Sequence, residues 1–87
     1  MKRKYKVVCK SGDLSGGICN PAYFTEEETF DSFEEAFAFF NEKKAWAEVA
    51  ARDDRAFFNT KNSIVFFASR GYGISDCSEY RRVTLSW

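Results

Sequence analysis

The stretch DSFEEAFAFFNEKKAWAEVAA, residues 31–51, decides the fold because it predicts a long amphipathic helix. Ser32 and Glu35 match a capping box, in which the serine hydroxyl accepts from the third helical amide and the glutamate reaches back to the cap. Glu34 and Glu35 also place negative charge where the helix dipole favours it. Apolar residues recur at steps of three and four, which predicts a core-facing stripe with a second apolar row beside it. The stripe is Phe33, Ala36, Phe37, Phe40, Ala47 and Ala51, and the second row is Phe39, Trp46 and Ala50.

A helix of this kind is apolar over more than half of its circumference. We therefore expect it either to be covered on two sides or to present an exposed apolar surface to a partner. Its end is less well marked, because the pattern falters at residues 52–55, Arg-Asp-Asp-Arg. Two interpretations remain open: the helix continues to about Phe58, or it breaks and a short second helix begins with Asp53 or Asp54 as its cap. The break is favoured.

Two strands are predicted before the helix. Residues 4–10 alternate between apolar side chains and lysines, as in a strand with one buried face and a basic outer face. Residues 11–17, SGDLSGG, predict a turn or flexible loop because they are rich in glycine. Residues 22–30 alternate again, and their acidity is typical of an edge strand, since charge discourages edge-to-edge aggregation.

Two more strands are predicted after the helix. Residues 59–63 form a polar turn, and residues 64–68, Ile-Val-Phe-Phe-Ala, are apolar on both faces and belong in the centre of a sheet. Residues 69–78 predict a hairpin loop, and residues 80–87 alternate as a final strand. The expected fold class is therefore α+β. We expect residues 1–87 to form a single domain, in which a four-stranded, mainly antiparallel sheet carries one long or two short helices on one face, in the order β-β-α-α-β-β.

The charges are unevenly distributed, although the net charge at pH 7 is zero. We expect the charged stretches to be solvated faces that neutralise one another. A neutral chain does not attract phosphate through its overall field, so a nucleic-acid partner is not expected. The early cations are Lys2, Arg3, Lys4, Lys6 and Lys10, and the acidic stretch contains Glu26, Glu27, Glu28, Asp31, Glu34 and Glu35.

The cysteine content points to a reducing compartment. Three cysteines, an odd number, favour free thiols over a disulfide framework. The basic residues after Met1 precede no apolar run of signal-peptide length, and no run is long enough to cross a bilayer. The expected location is the cytosol, which would be the host's cytosol for a phage-encoded protein, with no membrane partner.

The absence of histidine argues against catalysis. Imidazole is the commonest general acid or base and a frequent ligand of zinc, copper and iron. Cys9, Cys19 and Cys77 show no CxxC spacing, and the glycines of residues 12–17 are not followed by the Lys-Ser/Thr of a phosphate-binding loop. We therefore expect no enzyme activity, no catalytic residue, no metal site and no cofactor.

RNA binding is an alternative hypothesis, because Phe66, Phe67, Arg70 and Tyr72 supply the aromatic and basic residue types of RNA-recognition sheets. The order of these residues does not fit that motif, and the two phenylalanines are expected to point to opposite faces of the sheet.

Both ends of the chain resemble a family of small anti-CRISPR proteins that block the HNH nuclease domain of type II-C Cas9. The similar segments are Tyr5-Lys6-Val7 with Gly17-Ile18-Cys19, and residues 73–80, GISDCSEY. In that family a late Ser-Cys pair is pressed against the active site of the nuclease. The cysteine of the pair corresponds to Cys77, whereas Asp76 stands where the family has serine. That departure places a carboxylate where it would face an acidic active site.

These observations together predict a small, non-catalytic, protein-binding inhibitor. The resemblance implies an anti-defence protein of a phage or mobile element that blocks a host nuclease or its assembly, with a CRISPR effector nuclease as the partner. The alternatives are a host-side adaptor or oligomerising subunit, including a homodimer, and the small RNA-binding domain. The residues expected to contact a partner are Tyr72, Ser75, Asp76, Cys77, Glu79, Glu26 and Glu28.

Overall fold

The computed structural model describes residues 4–15, 18–51, 53–71 and 78–87. This part of the chain has an α+β fold with one helix and an antiparallel sheet. In chain order the elements are β1 (Tyr5–Ser15), β2 (Ile18–Cys19), β3 (Phe24–Phe30), α1 (Phe33–Ala50), β4 (Asp54–Thr60), β5 (Ser63–Arg70) and β6 (Glu79–Ser86).

Five strands lie side by side in the order β3-β1-β6-β5-β4, and each neighbouring pair is antiparallel. The two-residue strand β2 pairs only with the far end of β1. The predicted positions of two strands are confirmed: the acidic strand β3 lies at one edge, and the apolar strand β5 lies inside the sheet between β4 and β6. The predicted number of four strands is wrong, because β4 was not anticipated.

Helix α1 covers one face of the sheet, mainly over β6, β1 and β5. The predicted start of the helix is confirmed, since the Ser32 hydroxyl oxygen accepts from the backbone amide of Glu35 at 3.2 Å. The Glu35 carboxylate contacts the same hydroxyl at 3.1 Å. Between the helix and the sheet lies the core, which consists of Val7, Cys9, Ala36, Phe40, Ala47, Ala51, Phe66, Ala68, Val83 and Leu85.

The predicted second helix is wrong. The helix ends at Ala50, and residues 54–60 form strand β4, which pairs with β5 along its whole length. The segment contains Ala56, Phe57 and Phe58, which a helix also accepts, but the aromatic pair suits a pleated surface better. Lys61 and Asn62 then form a two-residue connection, so that seven residue pairs close into a hairpin. The local sequence is compatible with both a helix and a strand, and pairing with β5 makes this segment a strand.

The predicted loop at residues 11–17 is wrong for residues 11–15, which continue strand β1. Gly12 in this segment lies under the ring of Tyr80, opposite it on β6. A Cβ atom at Gly12 would lie only 2.7 Å from the Tyr80 hydroxyl oxygen. Glycine is needed here for close approach to an aromatic ring rather than for a turn. The glycine at position 12 therefore favoured the prediction of a loop, although the strand continues through it.

Candidate functional site

The two edges of the sheet differ sharply in their side chains. Edge strand β3 carries Glu26, Glu27 and Glu28, and its carboxylates meet basic residues nearby: Glu26 lies 2.9 Å from the Lys43 ammonium, and Glu27 lies 3.7 Å from that of Lys6. The expectation that the two charged stretches neutralise one another is confirmed for Lys6 and Glu27, and for Lys4 and Asp31 at 3.1 Å. Charge of this kind protects an edge strand from pairing with other chains.

Edge strand β4, with the sequence DRAFFNT, has no comparable protection at its centre. Phe57 points to the helix side of the sheet and Phe58 to the opposite side, and their side chains are 51% and 53% exposed. Among the described residues no strand pairs with the outer side of β4. Backbone donors and acceptors therefore run along this edge between two exposed aromatic rings, which is the arrangement that accepts an added strand.

An aromatic ridge continues from β4 onto the helix. We use this name for Phe33, Phe37 and Phe57, whose rings are joined through the buried ring of Phe40. Phe33 stacks on Phe37 with 5.4 Å between ring centroids, Phe37 stacks on Phe40 at 6.1 Å, and Phe40 meets Phe57 edge-on at 6.3 Å. The helix lies mainly over β6, β1 and β5, and it reaches β4 at the Phe40–Phe57 contact and at the Glu48–Arg55 ion pair of 3.5 Å. All three ridge residues are exposed. The exposed apolar surface expected of the helix is thus present at Phe33 and Phe37.

Of the residues predicted to contact a partner, Tyr72, Ser75, Asp76 and Cys77 lie outside the described residues. Glu79 is described, and its side chain is only 14% exposed, because it lies 3.0 Å from Arg70 and 3.6 Å from Arg81.

Glu26 and Glu28 lie on the same side of edge strand β3, as their alternation predicted. Glu26 is already paired with Lys43, and that hydrogen bond raises the pKa of Lys43. Glu28 is exposed. Phe57 lies on the other edge strand of the sheet, so it does not form one continuous patch with these two residues.

Cys9 is not an activated nucleophile. Cys9 is fully buried, and burial raises the pKa of its thiol to about 11. Cys19 is exposed in strand β2. A thiolate nucleophile needs a lowered pKa, which a nearby cation or a helix N-terminus supplies. Within the described ranges, no group of three His, Cys, Asp or Glu residues could hold a metal ion.

Comparison with known proteins gives no relative for this chain: no protein-family model, curated protein or solved structure matches it. No helix in the described part of the chain combines the length and apolar character needed to cross a bilayer.

Sequence reasoning missed Phe57 and Phe58 as surface residues. A helix would have placed these adjacent residues about 100° apart, whereas a strand places them on opposite faces. The signal that could have identified them was a pair of apolar runs, residues 56–58 and 64–68, joined by the five polar residues 59–63. Two such runs joined by a short polar stretch are typical of a hairpin.

Proposed function

We propose that this chain is a protein-binding module that captures a partner by strand addition at edge strand β4. The observation that carries this proposal is the exposure of Phe57 and Phe58 on opposite sides of an edge strand whose outer side pairs with no strand of the described residues. A monomer gains nothing from leaving both rings in water, since burying such a side chain stabilises by about 1.5–3 kcal/mol. Main-chain hydrogen bonds would supply affinity, and the two rings would supply specificity through pockets in the partner.

The aromatic ridge extends the proposed surface from the edge onto the helix. Rigid aromatic anchors dominate the energetics of tight interfaces, because they bury a large area with few rotatable bonds. Phe57 and Phe37 would therefore contact the partner on the helix side of the sheet, while Phe58 would contact it on the other side.

The biological role that we propose is inhibition of the captured partner. The resemblance of the chain ends to anti-CRISPR proteins supports a nuclease as the target, with the HNH domain of a type II-C Cas9 as the first candidate. Cys77 and Asp76 would form a second contact in that complex. The neutral overall charge and segregated surface charges suit a protein partner that is recognised locally.

The test is calorimetric titration of the isolated HNH domain with four versions of this protein. We expect Phe57→Lys and Phe58→Lys to weaken binding at least tenfold, because each places a charge in an apolar contact. The matched control is Val49→Lys, since Val49 is also an exposed apolar residue, at 76%, but lies on the helix rather than at the β4 edge.

The two parts of the proposal can fail separately. Absence of binding by the wild-type protein would remove the HNH domain as the target. Strand addition would then be tested by placing a photo-crosslinking phenylalanine analogue at position 58, and at position 49 as control, in cells of the host. Equal crosslinking from both positions would contradict the β4 edge as the binding surface.

A further inference from the structure

The face of the sheet opposite helix α1 carries two basic residues directly across from each other. We call this side the open face. Lys10 of β1 is the register partner of Arg82 of β6, and both strands lie inside the sheet. Like charges directly opposite on neighbouring strands destabilise a sheet. The pair therefore lowers the stability of the sheet unless a negatively charged group lies close to both cations.

No carboxylate of the described residues fills that role. On the open face, Glu27 contacts Lys6 at 3.7 Å, and Asp54 lies on β4, two strands beyond Arg82. Neither Lys10 nor Arg82 forms an ion pair with any described residue. The two cations therefore present their charge to whatever occupies the open face.

A shallow hollow adjoins these cations. It is lined by the two basic side chains together with Val8, Val65 and Thr84. Phe67 of β5 follows Arg82 on the same row across the sheet, and its half-buried ring stacks on Tyr80 at a centroid distance of 5.9 Å. The open face thus combines two cations that pair with no carboxylate in the described ranges, an apolar floor and an aromatic ring that stacks on Tyr80.

We propose that the open face binds single-stranded nucleic acid, with one phosphate group at Lys10, the adjacent phosphate group at Arg82, and a base against Phe67 and Val65. Lysine and arginine side chains are the usual ligands of phosphate oxygens, and aromatic side chains stack with bases. The zero net charge removes long-range attraction but does not affect this local contact. The inference is independent of the proposed capture of a protein, which takes place at the β4 edge.

Nucleic acid fits this face better than an acidic peptide does. The backbone groups of the central strands are already paired within the sheet, so the open face offers side chains only. A peptide lying on Val8, Val65 and Phe67 would leave many of its own backbone groups desolvated without partners. In a nucleotide the apolar face of the base and the charged phosphate are separate groups. The base can therefore contact the Phe67 ring while the phosphates contact the two cations.

The test is fluorescence anisotropy with labelled oligouridylate and oligothymidylate of about 12 nucleotides, a length within the range of single-strand binding sites. Two phosphate contacts predict a slope of log affinity against log salt of about −1.4, so affinity should fall about sevenfold between roughly 50 and 200 mM salt. The two oligonucleotides distinguish RNA from DNA, and oligoglutamate of equal length tests the acidic-peptide alternative.

Variants separate the two halves of the site. Lys10→Gln and Arg82→Gln should each weaken binding several-fold and reduce the salt slope by about 0.7, whereas Phe67→Leu should weaken binding about tenfold and leave the slope unchanged. Lys61→Gln is the matched control, because it removes the same charge from the exposed turn between β4 and β5. Thermal melting identifies variants that fail to fold; Lys10→Gln should melt no lower than the wild type, because it relieves the opposed charges.

Three results would overturn the inference. The first is no saturable binding of either oligonucleotide at low salt. The second is equal binding by the wild type, Lys10→Gln and Arg82→Gln. The third is oligoglutamate binding as tightly as the oligonucleotides, which would assign the open face to acidic peptides.

Discussion

Cys9 lies at the centre of the core, opposite Val83 of β6 and Glu26 of β3. Its thiol is fully buried, and desolvation is the main cause of its raised pKa; Lys43 lowers the value and Glu26 raises it to a smaller extent. The buried site thus favours the protonated thiol. In the unfolded chain the thiol ionises nearer its usual pKa of 9.0, so the folded state holds a proton that the unfolded state loses.

This difference predicts a pH dependence of stability. The stabilisation by protonated Cys9 is complete below pH 9 and is lost as the pH rises toward 11. At pH 10 we expect a loss of about 1 kcal/mol in the free energy of unfolding relative to pH 8. Urea denaturation at several pH values measures this loss, and Cys9→Ala should lack it. Parallel curves for the two proteins would contradict the assignment.

At the scale of single elements, Ser32 determines where helix α1 begins. Its hydroxyl satisfies an amide of the first turn, which otherwise has no intrahelical partner. We expect Ser32→Ala to reduce the free energy of unfolding by about 1 kcal/mol, and Ser32→Asp to retain most of it, because aspartate caps equally well. Chemical denaturation of the three proteins checks this. Equal losses in the alanine and aspartate variants would show that the cap is not the source of the effect.

The helix and the strands with clear alternation were predictable from the sequence, because local signals and tertiary packing agree there. The capping box and the apolar stripe fixed α1 at its start, and alternation placed β1, β3 and β6. The predictions were wrong at segments where the local sequence signal and the tertiary packing disagree. Residues 54–60 are strand only because β5 is available to pair with them, and residues 11–15 are strand although they contain glycine.

The candidate site was less predictable than the fold. Exposure of Phe57 depends on helix α1 lying mainly over β6, β1 and β5, which is a property of packing and has no local sequence signal. Lys10 and Arg82 lie opposite each other because of the register between β1 and β6, although the two residues are 72 positions apart in the chain. The acidic stretch was correctly predicted to form an edge strand, which is β3. The edge without such charge at its centre is β4, which was not predicted as a strand.

At the scale of the whole molecule, β4 is complementary to a second copy of itself. An antiparallel pair of β4 strands around a two-fold axis at Phe57 would place this residue opposite its own copy, and Ala56 opposite Phe58 of the partner. The same register places Asp53 opposite Lys61, so that no like charges face each other across the axis. Such an axis is perpendicular to the sheet, so both helices lie on one side and the sheets join into one.

We therefore expect reversible, concentration-dependent dimerisation when no other partner covers the edge. Sedimentation velocity should show that the dimer fraction rises with protein concentration. High salt should not dissociate the dimer, because the contact is apolar at its centre. Phe57→Lys should give a monomer at all concentrations, since it places two positive charges opposite each other on the axis. Val49→Lys carries the same change on the helix and should dimerise like the wild type. A wild-type protein that stays monomeric throughout would contradict self-pairing of β4, and a Phe57→Lys variant that still dimerises would assign self-association to another surface.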